Sequence, residues 1–308
     1  MNTATRIEEE TAQRTPAGKQ THPAKIMVAT DFSPASRPAV DYAVSLAKRF
    51  GSRLYLTHVI RYVVGHAVME PGLAAPTLGE LVEISRREAA DIVNSGCLRG
   101  VPCEVLIEEG PLWPTMEGLI EKHGIDMVVV GTHGLGDTMK AVFGSSAEEI
   151  FRHARIPVLI VGPGTTSEAP AEARFQNILF ATALGPGAER EAAVAFGLAQ
   201  EHRCRLMMLH VTERPDGFSE HDSNLEKKAI THRLQELVPV GCEPVCRPEF
   251  HMAYGEPVRE ILRFAREHAA DLIVIGAKKQ GAFAGHAPHS KAFGVVREAG
   301  CPVLTIRS

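Results

Sequence analysis

The feature of the sequence that most constrains its fold is an internal repeat. Four apolar segments recur in the same order, the first two 152 positions further on and the last two 145 positions further on. The matching pairs are residues 25–30 and 177–182, 54–59 and 206–211, 126–131 and 271–276, and 156–161 and 301–306. Unrelated α/β domains share apolar strands but not their order and spacing. The chain is therefore expected to contain one fold twice, as a first copy (residues 25–162) and a second copy (residues 177–308).

Each copy alternates short apolar segments with stretches of helical periodicity. Val40, Ala43, Val44 and Ala47 recur at the spacing of one helix face, and the uninterrupted apolar run 127–130 is typical of a strand buried on both faces. The predicted strands of the first copy are 26–30, 53–60, 103–108, 127–130 and 157–161, separated by helices at 38–50, 78–93, 114–123 and 146–154. Such alternation predicts an α/β protein of two tandem, open, parallel five-stranded domains.

The chain of 308 residues thus has four predicted parts. Domains at 25–162 and 177–308 are joined by a linker at 163–176, which is rich in proline, threonine and alanine. The polar residues 1–24 are predicted to form a disordered tail. This tail lacks the apolar segment of a signal peptide, and no apolar run approaches the about 18 residues that a membrane helix needs. We therefore expect a cytoplasmic protein without membrane contact.

Composition and missing motifs exclude several classes of function. A net charge of −4 and an aromatic content of 6% disfavour nucleic-acid binding, which needs basic and stacking side chains. Cys242, Cys246 and His251 come nearest to a metal site, but alternate positions on a strand explain the cysteines equally well and a fourth ligand is missing. The sequence has no P-loop, no Gly-x-Ser-x-Gly elbow and no Ser–His–Asp set. No catalytic residue and no metal ligand is predicted.

Two segments of the first copy carry unusual residues where strands end. Asp31 follows the first strand, where a carboxylate accepts hydrogen bonds from sugar hydroxyls or, with Ser33, caps the next helix. Gly131 and Gly134 follow the fourth strand, and nine residues later 144–146 (Gly-Ser-Ser) open another helix. Free amides at a helix start bind anions, and open parallel sheets bind ligands beyond the carboxyl ends of their strands. This predicts a bound mononucleotide; glycines that serve only tight turns are the alternative.

The spacing Gly-x2-Gly-x9-Gly-Ser, with Ala-Thr-Asp after the first strand, resembles the ATP-binding branch of the universal stress protein family over both copies. The resemblance implies an adenine nucleotide alpha-hydrolase-like, Rossmann-like fold and ATP in the first copy, with ADP, AMP and an accompanying Mg²⁺ left open. The resemblance implies that Asp31 contacts the ribose and that Ala29, Thr30 and Val59 border the adenine. It implies that the region leading to the ribose and phosphates is lined by Val130, Gly131, His133 and Gly134. The phosphates would be held by Gly144, Ser145 and Ser146. Lys140, inside the nine-residue loop, either adds a positive charge near the phosphates or is a solvent-exposed side chain without a ligand contact.

The second copy departs from this pattern. The two offsets align Asp31 with Ala183, Gly134 with Lys279 and Gly144 with His289, while Gly131 and Ser145 keep their residue types as Gly276 and Ser290. Without the carboxylate, and with side chains in place of glycines, the second copy is expected not to bind ATP in the same way. The basic residues Lys278, Lys279, His286, His289 and Lys291 suit either another anion or a solvated loop.

These observations favour a stress-response regulatory protein that binds an adenine nucleotide in its first copy. A slow ATP-hydrolysing enzyme and a nucleotide-independent interaction scaffold are the alternatives. The resemblance further implies that the last strands of the two units pair, here residues 157–161 with 302–306 within one chain. A homodimer is left open.

Overall fold

The computed structural model describes residues 22–61, 76–132, 144–162, 165, 174–212, 220–239, 247–277 and 290–307. The first copy runs β1 (Lys25–Ala29), α1 (Arg37–Phe50), β2 (Arg53–Ile60), α2 (Leu78–Asn94), β3 (Cys103–Glu109), α3 (Leu112–His123), β4 (Met127–Gly131), α4 (Ser145–His153) and β5 (Val158–Val161). The second runs β6 (Asn177–Ala181), α5 (Ala188–His202), β7 (Arg205–Thr212), α6 (Glu220–Glu236), β8 (Glu249–Tyr254), α7 (Pro257–Glu267), β9 (Leu272–Ala277), α8 (Lys291–Glu298) and β10 (Val303–Arg307).

The alternation of strands and helices predicted from the repeat is confirmed, with ends shifted by one or two residues. The largest shift is at α3, which begins at Leu112 and not at Pro114. Pro111 occupies the N-cap position, and Pro114 lies in the first turn, where its missing N–H would have no partner in any case. The predicted tail (1–24) and linker (163–176) lie largely outside the described residues.

The two five-stranded sheets are joined into one sheet of ten strands. Its order is β3-β2-β1-β4-β5-β10-β9-β6-β7-β8, and every pairing is parallel except that of β5 with β10. In that antiparallel pair Leu159 lies opposite Leu304, and Thr305 Oγ1 donates to the carbonyl oxygen of Val158 at 3.2 Å. The predicted pairing of the last strands is therefore present within the chain.

Helices cover both faces of this sheet, and each layer crosses the junction between the copies. Helices α1, α2, α5 and α6 pack on one face, with Leu46 and Phe196 among their buried side chains. Helices α3, α4, α7 and α8 pack on the other, where Met116, Ile150 and Val295 are buried. Because both faces are covered, β4 and β5 near the centre of the sheet consist of apolar residues and one glycine. None of the described helices is both long and apolar enough to span a membrane.

Polar contacts also hold the copies together. Arg307, at the end of β10, donates to the carbonyl oxygens of Phe151 at 3.0 Å, Ala154 at 3.1 Å, and Arg152, which are the last carbonyls of α4. A cation at a helix C-terminus complements the negative end of the helix dipole. Burial lowers the pKa of Arg307 from its usual value. The second copy therefore holds the far end of a helix whose N-terminus belongs to the first copy's predicted site.

A second contact joins the C-terminal ends of α1 and α5. Arg49 Nη2 donates to the carbonyl oxygen of Glu201 at 2.6 Å. The adjacent His202 is fully buried, with ring centroids 5.6 Å from Phe50 and 4.8 Å from Phe175. Its Nδ1 accepts from the Phe175 amide at 3.1 Å. Burial, reinforced by the nearby positive charge of Arg49, lowers the pKa of His202 to about 4, so the imidazole is neutral.

Candidate functional site

The predicted site residues gather at the carboxyl edge of the first copy's strands. Ala29 of β1 pairs with Val130 of β4, so Gly131 lies at the level of Thr30, and Asp31 follows one residue later at the same edge. Adjacent strands lie about 4.8 Å apart. The amide of Gly144 donates to the carbonyl oxygen of Thr132 at 2.7 Å, which brings the start of α4 to the same edge. This edge carries Ala29, Thr30, Asp31, Val59, Val130, Gly131, Gly144, Ser145 and Ser146; His133, Gly134 and Lys140 lie outside the described residues.

Asp31 projects an exposed carboxylate from a tight turn. Its Oδ1 accepts from the amide of Ser33 at 3.1 Å and from the Ser33 hydroxyl at 2.6 Å, and Phe32 adopts a left-handed backbone with φ 61°. Helix α1 begins at Arg37 with Ser36 as its N-cap, so the alternative that Asp31 or Ser33 caps this helix is wrong. Among the described residues, nothing hydrogen-bonds to Oδ2 of Asp31, which remains available to a ligand.

Thr30 is committed to the structure of the turn. Its Oγ1 lies 2.9 Å from Ser36 Oγ and accepts from the Phe32 amide at 2.9 Å. Its carbonyl oxygen accepts from Nδ1 of His58 at 2.8 Å; because a carbonyl only accepts, that ring nitrogen carries the proton. This bond ties β2 to the end of β1 and gives His58 a structural role. Thr30 is 7% exposed, which leaves little of its side chain for a ligand.

The apolar members of the predicted site are buried beside it. Val59 is 9% exposed and Val130 is 4% exposed, and both belong to the core beneath α3 and α4. Their side chains therefore support the edge from within the core. A Cβ at Gly131 would lie 3.4 Å from the carbonyl oxygen of Ala35 and 3.5 Å from Cα of Ser36, which is ordinary van der Waals contact. Packing alone therefore does not require a glycine at this position.

The start of α4 is an uncapped helix N-terminus. Gly144 is its N-cap, with φ −61°, and no side chain accepts a hydrogen bond from the first turn. The amides of Ser145, Ser146 and Ala147 donate to no described residue. The first amides of a helix have no partner inside the helix, and together with the helix dipole they attract an anion. This end of α4 therefore offers three N–H groups and two serine hydroxyls.

A cation that the sequence analysis did not consider faces this helix start. Arg61 directly follows Ile60, the last residue of β2, and its Nη2 donates to Ser146 Oγ at 3.0 Å. The signal was present in the sequence, since Arg61 follows a strand that ends at the same edge as β1 and β4. Spacing alone does not show where so long a side chain points, and the structure supplies that direction.

The second copy repeats the backbone of this edge without its carboxylate. The amide of Leu184 donates to Thr182 Oγ1 at 3.0 Å, and Leu184 has φ 53°, as in the turn at Phe32. Nδ1 of His210 lies 2.9 Å from the carbonyl oxygen of Thr182, as His58 does from Thr30. At the position of Asp31, however, the second copy exposes the methyl group of Ala183.

Two further differences close the second copy's edge. Ser290 is the N-cap of α8, and its side chain accepts from the Phe293 amide at 3.2 Å, so one of the N–H groups that is free in α4 has a partner in α8. The buried side chain of Glu191, 6% exposed, packs directly against Gly276 and leaves no room for a Cβ there. The corresponding helix residue in the first copy is Ala39. Lys278, Lys279, His286 and His289 lie outside the described residues, and Lys291 is exposed.

Comparison with known proteins agrees with the repeat. The model of the universal stress protein family matches residues 23–162 and again residues 174–307. The chain belongs to the universal stress protein family. A universal stress protein of Mycolicibacterium smegmatis is 26% identical over 292 residues, which cover 92% of this chain and 96% of the relative. The tandem arrangement of two family domains is therefore shared along nearly the whole chain.

Solved structures of universal stress proteins have the same fold. The crystal structure of one from Archaeoglobus fulgidus superposes with a TM-score of 0.65 at 19% identity, covering 92% of this chain and 96% of that one. Another structure from Archaeoglobus fulgidus, a complex with dAMP, covers 43% of this chain and 98% of its own, with a TM-score of 0.34 and 23% identity. The first likeness establishes the fold of both copies.

The described part of this universal stress protein holds no candidate metal centre. Among its described residues, no group of three or more His, Cys, Asp or Glu side chains is arranged to hold an ion. Cys242 and Cys246 lie outside the described residues. His251 is on β8, 3.4 Å from the carboxylate of Glu249 through its Nε2, and burial lowers its pKa. His251 is therefore a neutral neighbour of the ion pair between Glu249 and Arg205.

Proposed function

We propose that the first copy of this universal stress protein binds an adenine nucleotide, ATP, and that occupancy of this site regulates the protein. The observation that carries the proposal is a pair of unsatisfied groups at one sheet edge. The free Oδ2 of Asp31 lies beyond β1, and the uncapped amides of residues 145–147 lie beyond the neighbouring β4. A hydrogen-bond acceptor next to an anion site is the complement of a ribose joined to phosphates.

The chemistry of each contact follows from the groups present. Asp31 accepts from the ribose hydroxyls, since an ionised carboxylate only accepts hydrogen bonds. The amides at the start of α4, with the hydroxyls of Ser145 and Ser146, donate to phosphate oxygens. Family membership and the glycine spacing support adenine as the base, beside Ala29 and Val59. His133 and Gly134 complete the proposed set, and Mg²⁺ accompanies the phosphates.

The position of α4 supports a regulatory role. A phosphate would contact its N-terminus, while Arg307 of the second copy holds its C-terminal carbonyls. A ligand shifts a conformational equilibrium only through its different affinity for the two states. Because the ligand would contact one end of α4 and Arg307 contacts the other end, a shift of α4 on binding would also move the contacts at the junction of β5 with β10. A cytoplasmic location stays a prediction, and a homodimer is left open.

Isothermal titration calorimetry with ATP tests the proposal. We expect one site per chain in the wild type and no binding by Gly144→Asp, because the new carboxylate occupies the α4 N-cap and repels phosphates. The matched control is Ser290→Asp, which places the same residue at the N-cap of α8. Aspartate is a favourable N-cap, so both variants should fold, and a thermal scan checks this.

Each outcome of that titration is informative. Saturating ATP at one hundred times its dissociation constant should also stabilise the wild type by about 2.7 kcal/mol. Loss of binding in Ser290→Asp with retention in Gly144→Asp would move the site to the second copy. No binding by the wild type would contradict the proposal and favour a nucleotide-independent scaffold. Sustained phosphate release over many turnovers would favour an ATP-hydrolysing enzyme.

A further inference from the structure

Arg61 occupies an unusual electrostatic position. Strand β1 lies between β2 and β4, so a side chain that starts after β2 and contacts the helix that follows β4 reaches across the carboxyl end of β1. It thereby crosses the edge where the proposed nucleotide lies. Its guanidinium group donates to Ser146 Oγ in the first turn of α4. A cation at a helix N-terminus faces the positive end of the dipole, which is unfavourable unless an anion lies between them.

The described carboxylates do not account for this position. Glu109 lies opposite Ile60 in the β2–β3 register, one residue from Arg61. Arg61 nevertheless forms no ion pair with Glu109 or with any other carboxylate of the described residues. Other exposed arginines, such as Arg86 and Arg263, do pair with neighbouring carboxylates. The guanidinium group instead contacts the N-terminal turn of α4.

The second copy has opposite chemistry at the two matching positions. The offset of 152 aligns Arg61 with Glu213, and the offset of 145 aligns Ser146 with Lys291. A cation and a hydroxyl in the first copy thus correspond to an anion and a cation in the second. The two side chains change together, in the copy that also lacks the Asp31 carboxylate. The pair Arg61–Ser146 therefore belongs with the groups that distinguish the first copy's edge.

We propose that Arg61 is a phosphate-binding residue that makes the first copy select nucleotides by the length and charge of their phosphate chain. A guanidinium group binds two phosphate oxygens at once, and the Ser146 hydroxyl, now its acceptor, is free to donate to the same phosphate. Asp31 contacts the ribose and the phosphate chain extends from that ribose past the α4 amides, so Arg61 contacts the outer phosphates. This inference rests on the proposed adenine nucleotide site and adds a preference for ATP and ADP over AMP and adenosine.

Titrations with ATP, ADP, AMP and adenosine test this selectivity in the full chain. Arg61→Met keeps an unbranched stem of similar size to the aliphatic part of arginine and removes the charge, and Arg61→Lys restores a point charge. We expect Arg61→Met to weaken ATP binding by about ten- to a hundredfold, the range of a charge-assisted hydrogen bond, with adenosine affinity unchanged. Arg61→Lys should recover part of the loss. The matched control is Arg99→Met, an exposed arginine before β3, at the opposite edge of the sheet.

The failure of this inference is distinguishable from the failure of the proposed site. If the wild type prefers ATP to adenosine and Arg61→Met keeps that preference, Arg61 does not bind phosphate and the adenine nucleotide site stands. If Arg61→Met weakens ATP and adenosine equally, its role is structural and the inference is wrong. If the wild type binds none of the four compounds, both proposals fail. A salt dependence of ATP affinity that is steeper in the wild type than in Arg61→Met would support the charge contact.

Discussion

In the first copy the turn after β1 exposes the carboxylate of Asp31, and in the second copy the same turn exposes Ala183. The supporting hydrogen bonds are nearly identical: His58 bonds Thr30 at 2.8 Å, and its counterpart His210 bonds Thr182 at 2.9 Å. The second copy thus keeps the backbone of this turn but lacks the carboxylate. The hydrogen bonds of the turn need only the threonine and the histidine. The exposed residue that follows the threonine can therefore change without loss of the turn.

The helix starts show the same contrast. Helix α4 begins after Gly144, without a side-chain cap, and helix α8 begins after Ser290, which caps its own amides. Leaving amides unsatisfied destabilises a helix, which is consistent with a ligand that satisfies them in the first copy only. In this chain the two copies share their apolar strands and turn bonds, and they differ in a few residues at the carboxyl edge of the sheet.

The largest expected effect comes from giving the first copy the second copy's residue. We expect Asp31→Ala to weaken ATP binding by about ten- to a hundredfold, since a charge-assisted hydrogen bond to the ribose is lost. Calorimetry measures this. The reverse change, Ala183→Asp, is the matched control and should create no second site, because Ser290 and Glu191 still close that edge. Unchanged ATP affinity in Asp31→Ala, or two sites in Ala183→Asp, would break the comparison.

The sequence predicted the fold well because the repeat and the apolar runs carry it. Strand 53–60 was predicted with the bounds that β2 has, since its apolar residues stop abruptly at both ends. The placement of Asp31 and residues 144–146 at one edge also followed from the sequence, because the carboxyl ends of neighbouring parallel strands meet. The joining of both sheets through β5 and β10 came from the family resemblance and not from periodicity.

The parts of the site that were missed depend on side-chain direction and on exact helix starts. Arg61 reaches α4 across β1, and no spacing rule encodes that path. Ser290 aligns with Ser145, yet α8 begins one residue later than α4, so the same residue type changes from first helical residue to cap. Glu191 aligned with the buried Ala39, and a charged residue on an apolar helix face was a signal available in the sequence.

The junction of the copies offers a smaller effect, on stability against pH. His202 occupies the position of Phe50, and its pKa is lowered from 6.5 to about 4. Because the unfolded chain binds the proton more readily, His202 contributes its full stability above pH 6.5 and loses it as pH falls toward 4. A pKa shift of one unit corresponds to about 1.4 kcal/mol. The free energy of unfolding should therefore fall by about 2 kcal/mol between pH 7.5 and pH 5 because of His202 alone.

Urea unfolding at those two pH values, with His202→Phe as the comparison, isolates the effect. The variant copies Phe50 of the first copy and removes the titrating group. Its stability at pH 7.5 should be lower, because the Phe175 amide loses its acceptor, so the informative quantity is the change with pH. We expect the variant to lose about 2 kcal/mol less than the wild type on acidification. Equal losses would show that His202 is not protected from protonation by the junction.

The smallest expected effect concerns the two helix starts without any ligand. Ser290→Ala removes the cap of α8 and should lower the free energy of unfolding by about 1 kcal/mol. The matched variant Ser145→Ala removes a side chain for which no cap bond exists in α4, so it should cost less than about 0.5 kcal/mol and weaken ATP binding instead. Urea unfolding and calorimetry measure the two quantities separately. Equal stability losses in both variants would mean that α4 is capped much as α8 is, and that its amides are not held open for phosphate.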